Sequence, residues 1–324
     1  MASLPTFPIM ENPSWAALKN FFAARHQRQA MDSFRLDPAT LEAAQDCADS
    51  RIFATHQRIW MDGLPEGFRG FRIVQISDIH HSLFFPLERV AAVVELCNRL
   101  KPDLVALTGD FVTYSQDSIE PVCEVLGGLV AGAGVVAVLG NHDFRVDAYG
   151  VERALRRRGI EVLRNRHIVL RGGGDALHVA GVDDYRYGAD LGMALRGIPG
   201  GAPTVLLAHN PRLVTLAACY GVSLMLSGHT HGGQVNLPLL GSVYGRSPED
   251  MRFKSGWDRF GSTQIYVSRG IGTVVLPWRL RCPAEVPRLD LEPYHLEAGP
   301  FGGGRWQDIS AESREKRGSG FPAV

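Results

Sequence analysis

The chain has 324 residues with 34 basic and 34 acidic side chains, and 45% of its residues are hydrophobic. This composition predicts a globular domain with a sizeable core, and the zero net charge excludes the broad positive field that draws proteins to nucleic acid or anionic membranes. The five cysteines form no Cys-x-x-Cys pair, so we expect small buried hydrophobic residues rather than a disulfide framework or a thiolate zinc site.

Residues 1–52 are predicted to form an N-terminal helical extension. They carry no strand pattern, but an aromatic stripe from Trp15 to Phe22 recurs at helical spacing ahead of basic residues. This stripe can pack on the rest of the protein or dock on a membrane interface. The segment lacks an export signal, and no run in the chain reaches the ~18 to 20 apolar residues of a membrane span. We therefore expect a cytoplasmic protein, with the surface of the inner membrane as the alternative.

Strand and helix patterns alternate along the main domain, predicted at residues 53–295. Short apolar or β-branched runs that predict strands lie at residues 71–77, 104–108, 135–139, 161–163, 167–170, 176–182, 204–208, 222–226 and 265–268. Helical spacing is found at residues 88–100, 119–130 and 151–158, and a further helix begins near Pro211. The alternation is typical of an open α/β sheet, and residues 296–324 are predicted to be a flexible tail.

Histidines, carboxylates and one asparagine follow the ends of these strands in five short motifs. The motifs are Asp78-Ile79-His80, Gly109-Asp110, Gly140-Asn141-His142-Asp143, His209 and Gly228-His229-Thr230-His231. Ligands gather at the carboxyl ends of strands in open α/β sheets, so we expect these side chains to converge. Imidazole, carboxylate and amide groups bind divalent metal ions, and the sequence therefore predicts a two-metal hydrolase centre.

Asp110 is predicted to bridge the two ions. The remaining ligands are predicted to be Asp78, His80 and His231 for one ion, and Asn141, His209 and His229 for the other. Two divalent ions, two aspartates and one hydroxide sum to about +1, which suits an anionic phosphoester. The ions would also lower the pKa of a shared water toward neutrality and so generate a hydroxide nucleophile.

His142 directly follows a predicted ligand, but adjacent residues in a turn point in different directions. Because imidazole titrates near neutrality, we predict that His142 donates a proton to the leaving oxygen. Asp143 is predicted to orient its ring. The alternative is a solvent-facing histidine in a turn.

Substrate contacts are predicted from position alone. His81 adjoins the predicted ligands, and Arg269 follows the last predicted strand. Arg279 and Arg281 flank apolar residues, so their guanidinium groups could also grip a phosphate. The alternative for these arginines is an ordinary ion pair at the surface.

The motifs above, together with the strings at residues 227–235 and 266–273, resemble the calcineurin-like metallophosphoesterase superfamily and its bacterial membrane-associated branch. The resemblance covers residues 71 to about 291. It implies a four-layer α/β/β/α sandwich with two central mixed sheets, and two divalent ions such as Mn, Fe, Zn or Mg held by the ligands assigned above. In that branch the activities include phosphodiester hydrolysis and cleavage of UDP-2,3-diacylglucosamine at its pyrophosphate, a step toward lipid A.

We therefore predict a dinuclear metal-dependent phosphoesterase that hydrolyses a phosphodiester or pyrophosphate bond by metal-bridged hydroxide attack. The alternatives are a phosphomonoesterase or cyclic-nucleotide phosphodiesterase of the same fold and, in another class, a non-catalytic metal-binding scaffold for protein partners. The predicted partner is a small-molecule or lipid-linked phosphoester substrate. Peripheral membrane contact stays an open alternative, and no nucleic acid or obligate protein partner is expected.

Overall fold

The computed structural model describes residues 52–237, 241–242 and 252–294. The predicted tail and the predicted N-terminal extension, apart from Ile52, lie outside these residues, and the domain boundaries stay predictions. The described strands are β1 (Ile52–Met61), β2 (Phe71–Ile76), β3 (Leu104–Leu107), β4 (Val135–Ala137), β5 (Glu161–Val162), β6 (Arg166–Gly172), β7 (Asp175–Gly181), β8 (Thr204–Leu207), β9 (Leu224–Ser227), β10 (Asn236–Leu237), β11 (Gly241–Ser242), β12 (Gly256–Phe260), β13 (Thr263–Val267) and β14 (Ala284–Pro293).

The described helices are α1 (Leu87–Arg99), α2 (Ile119–Leu126), α3 (Asn141–Arg157), α4 (Leu191–Ala194) and α5 (Val214–Cys219). Single 3-10 turns lie at Glu66–Phe68, Gln116–Ser118, Pro211–Leu213 and His231–Gly233. Within the described ranges, no helix has the length and apolar character needed to cross a membrane.

Two six-stranded sheets form the centre of the fold. The first has the order β1-β14-β2-β3-β4-β5, and the second has the order β12-β13-β9-β8-β7-β6. In the first sheet, strands β2 to β5 are parallel to one another and β14 runs antiparallel to β2. In the second sheet, strands β7, β8, β9 and β13 are parallel, and the edge strands β6 and β12 are antiparallel to their neighbours. Both sheets are therefore mixed, and in each one the carboxyl ends of the parallel strands lie along a single edge.

The strands are buried on both faces, and successive residues therefore enter different cores. In β2, Ile73 lies in the core between the two sheets, whereas Val74 lies in the core shared with α1, α2 and α3. In β8, Val205 belongs to the core between the sheets and Leu206 packs with α4 and α5. The predicted four-layer α/β/β/α sandwich is confirmed.

Helix α1 shows how the outer layers attach. Val90, Val93, Val94 and Cys97 recur at helical spacing and are all buried against the first sheet. Burying each of these side chains contributes roughly 1.5 to 3 kcal/mol relative to exposure. The helix is therefore held mainly by this apolar face, since Pro86, the capping residue that precedes it, provides no side-chain hydrogen bond.

The structure differs from the sequence predictions in several places. Strands β1 and β14, which pair in parallel, were not predicted, nor were the edge strand β12 and the short helix α4. Helix α3 begins at Asn141, ten residues before the predicted start, and contains a non-helical residue, Asp147, where the helix kinks. Cys219 is exposed rather than buried, because it ends the short helix α5 on the outer side of the sandwich.

An ion pair at the edge opposite the carboxyl ends of the strands makes stability depend on pH. Asp103 accepts hydrogen bonds from Arg72 Nε at 2.9 Å and Nη2 at 2.8 Å, and these bonds hold the pKa of Asp103 below its ordinary value of 3.8. A carboxyl group whose pKa is lower in the folded state than in the unfolded state stabilises the fold at pH values above its unfolded-state pKa. This stabilisation is lost as the pH falls through the folded-state pKa.

We expect Asp103→Asn to lower the free energy of unfolding by about 1 kcal/mol at neutral pH, because the pair is only partly buried. The difference from the unmodified protein should shrink near pH ~3, where the carboxyl group becomes protonated. Urea unfolding of both proteins at the two pH values measures this effect. An equal difference at both pH values would contradict the pairing.

Candidate metal centre

The predicted ligands follow the strands at the carboxyl edges of both sheets. They are Asp78 and His80 after β2, Asp110 after β3, Asn141 after β4, His209 after β8, and His229 and His231 after β9. Because the two sheets are stacked, these edges meet, and side chains from distant parts of the sequence converge there.

The converging side chains form overlapping groups in which all ligand atoms lie within 4.8 Å of one another. One group contains Asp78, His80 and His231; another contains Asp110, His209 and His229; a third contains His80, Asp110 and His142. The first two groups correspond to the predicted shells of two ions. Their role as ligands stays a prediction.

Asp110 belongs to the second group and also lies beside the first. Its Oδ2 is 3.4 Å from His80 Nε2 and 3.1 Å from His209 Nε2, while its Oδ1 accepts a hydrogen bond from the His142 backbone N–H at 2.8 Å. One carboxylate oxygen thus faces imidazoles of both groups. This is the position that a bridging ligand requires.

Asp78 is the corresponding carboxylate of the first group. Its Oδ1 lies 3.3 Å from His231 Nε2 and accepts the His229 backbone N–H at 3.0 Å, and its Oδ2 accepts the Ser77 hydroxyl at 2.6 Å. Burial raises the pKa of Asp78 to about 6, which the nearby His209 opposes. Hydrogen bonds to both oxygens therefore orient this buried carboxylate. A cation beside it would favour its ionised form, because opposite charges attract.

The His209 ring is oriented by a main-chain carbonyl. Its Nδ1 lies 2.7 Å from Thr108 O, and since a carbonyl oxygen can only accept, Nδ1 carries the hydrogen. The lone pair of a neutral ring then belongs to Nε2, which faces Asp110. Outer hydrogen bonds of this kind set the tautomer and direction of metal-binding histidines.

Asn141 supplies the most direct indication that a cation fits this site. No group in residues 52–237 or 252–294 hydrogen-bonds to its buried Oδ1. An unsatisfied buried polar atom costs about 1 to 3 kcal/mol, and a divalent ion would satisfy it. Imidazole, carboxylate and amide donors together can accept Mn, Fe, Zn or Co. The residues present therefore fit divalent metal ions.

Electrostatics at the site favour positive charge beside Asp110. Burial lowers the pKa values of His80 and His231 well below the ordinary 6.5, so both rings are neutral, the form that binds metal. Burial acts in the same direction on His209, but the Asp110 carboxylate outweighs it and raises the pKa of His209 to about 10. The negative charge of Asp110 that stabilises a proton on His209 would also stabilise a metal ion beside it.

Backbone strain is concentrated at the predicted ligands. Five of them adopt the left-handed conformation: Asp78 at φ 53°, His80 at 49°, Asp110 at 59°, His229 at 71° and His231 at 53°. Non-glycine residues in sparsely populated regions cost about 1 to 3 kcal/mol each and cluster at functional sites. The turns that hold the ligands are therefore kept in place by the surrounding packing.

Gly228 allows the second sheet to approach the first. A Cβ at this position would overlap Ser77 Oγ and Asp78 Oδ2. We expect Gly228→Ala to lower the free energy of unfolding by about 1 to 3 kcal/mol, as overpacking does, and to reduce metal binding because Asp78 must move. Thermal unfolding and bound-metal content measure the two effects.

Gly200→Ala is the matched control for this substitution. A Cβ at Gly200 would meet no described atom within 4 Å. The control should leave both measurements unchanged. Unaltered metal content in Gly228→Ala would contradict the expectation that the added methyl group displaces Asp78.

His142 lies in the first turn of α3, beside Asp110. Its Nδ1 is 3.1 Å from Thr113 O, so Nδ1 carries the hydrogen and Nε2 is the atom that can exchange a proton. The ring packs edge-on against His80, with centroids 4.8 Å apart. The prediction that Asp143 orients this ring is wrong, since the carbonyl of Thr113 does so.

Asp143 instead organises the backbone around Asp110. Its carboxylate accepts N–H groups from Asp110 at 2.8 Å, Phe111 at 2.9 Å, Val112 at 3.3 Å and Gly140 at 2.9 Å. It therefore joins the loop after β3 to the start of α3. The motif Asn141-His142-Asp143 contains this residue, but its partners could not be read from the sequence.

The predicted substrate contacts are placed less centrally. Half-buried His81 has its Nδ1 3.0 Å from Phe85 O. Arg269 pairs with the buried Glu285, whose Oε2 lies 2.7 Å from its Nη2. Arg281 is exposed, whereas Arg279 is buried and bonds to main-chain carbonyls, which corrects the idea that it grips a phosphate. Contacts of His81 and Arg269 with substrate stay predictions.

Asp184 is a carboxylate near the site that the sequence reasoning missed. It follows β7 at the same sheet edge as His209, and it is fully buried. Its Oδ1 accepts the Arg186 N–H at 3.0 Å, while its buried Oδ2 finds no hydrogen-bond partner in the described part of the chain. The Asp183-Asp184 pair after a predicted strand was the available signal.

Comparison with known proteins finds similar sequences among phosphoesterases. The sequence profile described as calcineurin-like phosphoesterase matches residues 71–233. The chain is 36% identical to an uncharacterized metallophosphoesterase, YkuE, of Bacillus subtilis (strain 168), over 72% of this chain and 84% of that protein. It is 33% identical to Phosphodiesterase YaeI of Escherichia coli (strain K12), over 68% and 82%. It is 32% identical to an uncharacterized metallophosphoesterase of Aquifex aeolicus (strain VF5), over 69% and 85%.

Proposed function

This chain belongs to the calcineurin-like phosphoesterase family, and we propose that it uses two divalent metal ions to hydrolyse a phosphodiester or pyrophosphate bond. Membership of the family implies a metal-dependent phosphoester hydrolase. The observation that carries the two-ion proposal is the position of Asp110, whose Oδ2 faces His80 of one ligand group and His209 of the other. The seven side chains Asp78, His80, Asp110, Asn141, His209, His229 and His231 would hold the ions.

The ions, when bound, would supply positive charge for the phosphoryl oxygens and would lower the pKa of water to give a nucleophile near neutral pH. The protein residues supply geometry and a proton. Asp78 and Asp110 balance the cationic charge, and their hydrogen bonds to backbone N–H groups keep both carboxylates in place. His142, held at Nδ1 by Thr113, donates from Nε2 to the leaving oxygen.

A diester or pyrophosphate is preferred over a monoester as the substrate. The name phosphodiesterase carried by the similar Escherichia coli protein supports this preference. UDP-2,3-diacylglucosamine is the specific candidate, supported by the resemblance of residues 227–235 and 266–273 to the membrane-associated branch. We further propose that the enzyme acts in the cytoplasm or at the inner membrane surface, without nucleic acid or an obligate protein partner.

A substrate panel tests the proposal. Metal-reconstituted protein would be given bis-p-nitrophenyl phosphate, p-nitrophenyl phosphate, cyclic nucleotides and UDP-2,3-diacylglucosamine, with bound metal measured in parallel. We expect the highest kcat/KM on a diester or the pyrophosphate and two ions per chain. A preference for the monoester would overturn the substrate class, and bound ions without any turnover would favour a non-catalytic scaffold.

A further inference from the structure

Arg279 is a buried cation whose hydrogen bonds go to main-chain carbonyl oxygens and to the Cys282 sulfur. Its Nε lies 3.0 Å from Gly272 O, its Nη2 lies 2.6 Å from Gly272 O and 2.8 Å from Arg269 O, and its Nη1 lies 3.3 Å from His231 O. Within residues 52–237 and 252–294, no carboxylate hydrogen-bonds to this guanidinium group. A buried charge persists only where its donors are well satisfied, so this placement indicates a specific role.

The carbonyls that Arg279 binds belong to the turns that carry one ligand group. His231 is itself a predicted ligand. The loop at residues 269–272 contacts the turn that carries a second predicted ligand, Asp78. Ile271 N donates to Ser77 O at 3.1 Å, and Gly272 N donates to Asp78 O at 2.8 Å. Arg279 is therefore bonded directly to the backbone of His231 and through Gly272 to that of Asp78.

Both of these ligands are in strained conformations that need support. His231 and Asp78 each have φ 53°, and the adjoining Gly232 has φ 59°. Cys282 Sγ adds a second donor to His231 O at 3.1 Å. Strained turns persist only when surrounding bonds determine them, and here Arg279 links the bonds at His231 O to the Gly272 peptide that holds Asp78 O.

We propose that Arg279 is a positioning residue that holds Asp78 and His231 as ligands of one metal ion. The inference rests on the proposed function, since it treats the two ligand groups as two metal sites. None of the Arg279 bonds described above reaches the group formed by Asp110, His209 and His229. The planar guanidinium group places five N–H donors on three nitrogen atoms, whereas a lysine ammonium has three donors on a single atom and cannot reach the Arg269, His231 and Gly272 carbonyls in the same geometry.

Mn²⁺ titration of the full-length protein, followed by calorimetry and bound-metal analysis, tests the inference. We expect two ions in the unmodified protein. In Arg279→Lys and Arg279→Met one ion should bind at least about tenfold more weakly while the other is unaffected, since loss of an outer hydrogen-bond partner typically weakens metal binding 10- to 100-fold. Arg72→Met is the matched control, because Arg72 makes a comparable forked contact at the opposite sheet edge.

Thermal unfolding of the same variants separates positioning from a general structural role. A folded Arg279→Lys that binds both ions with unchanged affinity would overturn the inference, as would equal weakening of both ions together with a fall in Tm. Failure of both Arg279 variants to fold would also overturn it, by showing a general requirement for the side chain. Fewer than two ions in the unmodified protein would instead refute the two-ion function.

Discussion

Asp110→Asn is expected to reduce kcat/KM for a phosphodiester by about a thousandfold, equivalent to about 4 kcal/mol of transition-state stabilisation. The amide keeps the shape of the carboxylate but removes the charge that faces both His80 and His209. Both ions should therefore bind more weakly. Steady-state kinetics with saturating Mn²⁺, combined with bound-metal analysis, measures the two effects.

Asp117→Asn is a suitable control for this change, because Asp117 is exposed in the segment that follows the same strand. It should retain full activity and metal content. If Asp110→Asn kept most of its activity, or lost only one ion without affecting the other, the bridging assignment would be wrong.

His142→Asn is expected to lower kcat by about 10²- to 10⁴-fold while metal content stays unchanged, because general acid catalysis contributes rate enhancements of this size. The asparagine amide can still donate to Thr113 O, but it has no counterpart of the imidazole Nε2. The loss should be largest for diesters with alkyl leaving groups, which need a proton, and smaller for p-nitrophenolate. Comparing kcat for these two substrate types measures the proton donation.

His167→Asn provides the matched control. His167 is half-buried, and its Nδ1 lies 2.8 Å from a main-chain carbonyl, that of Ala194, as His142 Nδ1 lies near Thr113 O. This variant should behave like the unmodified enzyme with both substrates. An equal loss for alkyl and aryl leaving groups in His142→Asn would show that His142 does not act as the proton donor.

The convergence of the site could be predicted because each ligand follows a strand. Parallel strands deliver their carboxyl ends to one edge, so the positions of Asp78, Asp110 and His209 in the sequence already implied proximity. Strand β14 escaped prediction although Leu289 and Leu291 alternate with polar residues, since Pro287 within it argues against a strand.

The supporting bonds around the site could not be predicted, because they join residues far apart in the chain. Arginine is usually a surface residue, and nothing in the sequence around Arg279 predicts otherwise. Tertiary contacts nevertheless bury its side chain against His231 O. Asp143 resembled a partner of its neighbour His142, but the start of α3 turns its carboxylate toward the backbone of the Asp110 loop. Local sequence patterns carry no information about such long-range donors.

The insertion of β14 between β1 and β2 has a consequence for how the protein is made. The ribosome releases β1 and β2 early, but the strand that lies between them emerges more than two hundred residues later. Glu285, which anchors Arg269, arrives with that last strand. The first sheet of the nascent chain therefore cannot be completed until translation has passed residue 293, so β2 must wait beside an open edge while the second sheet is being made.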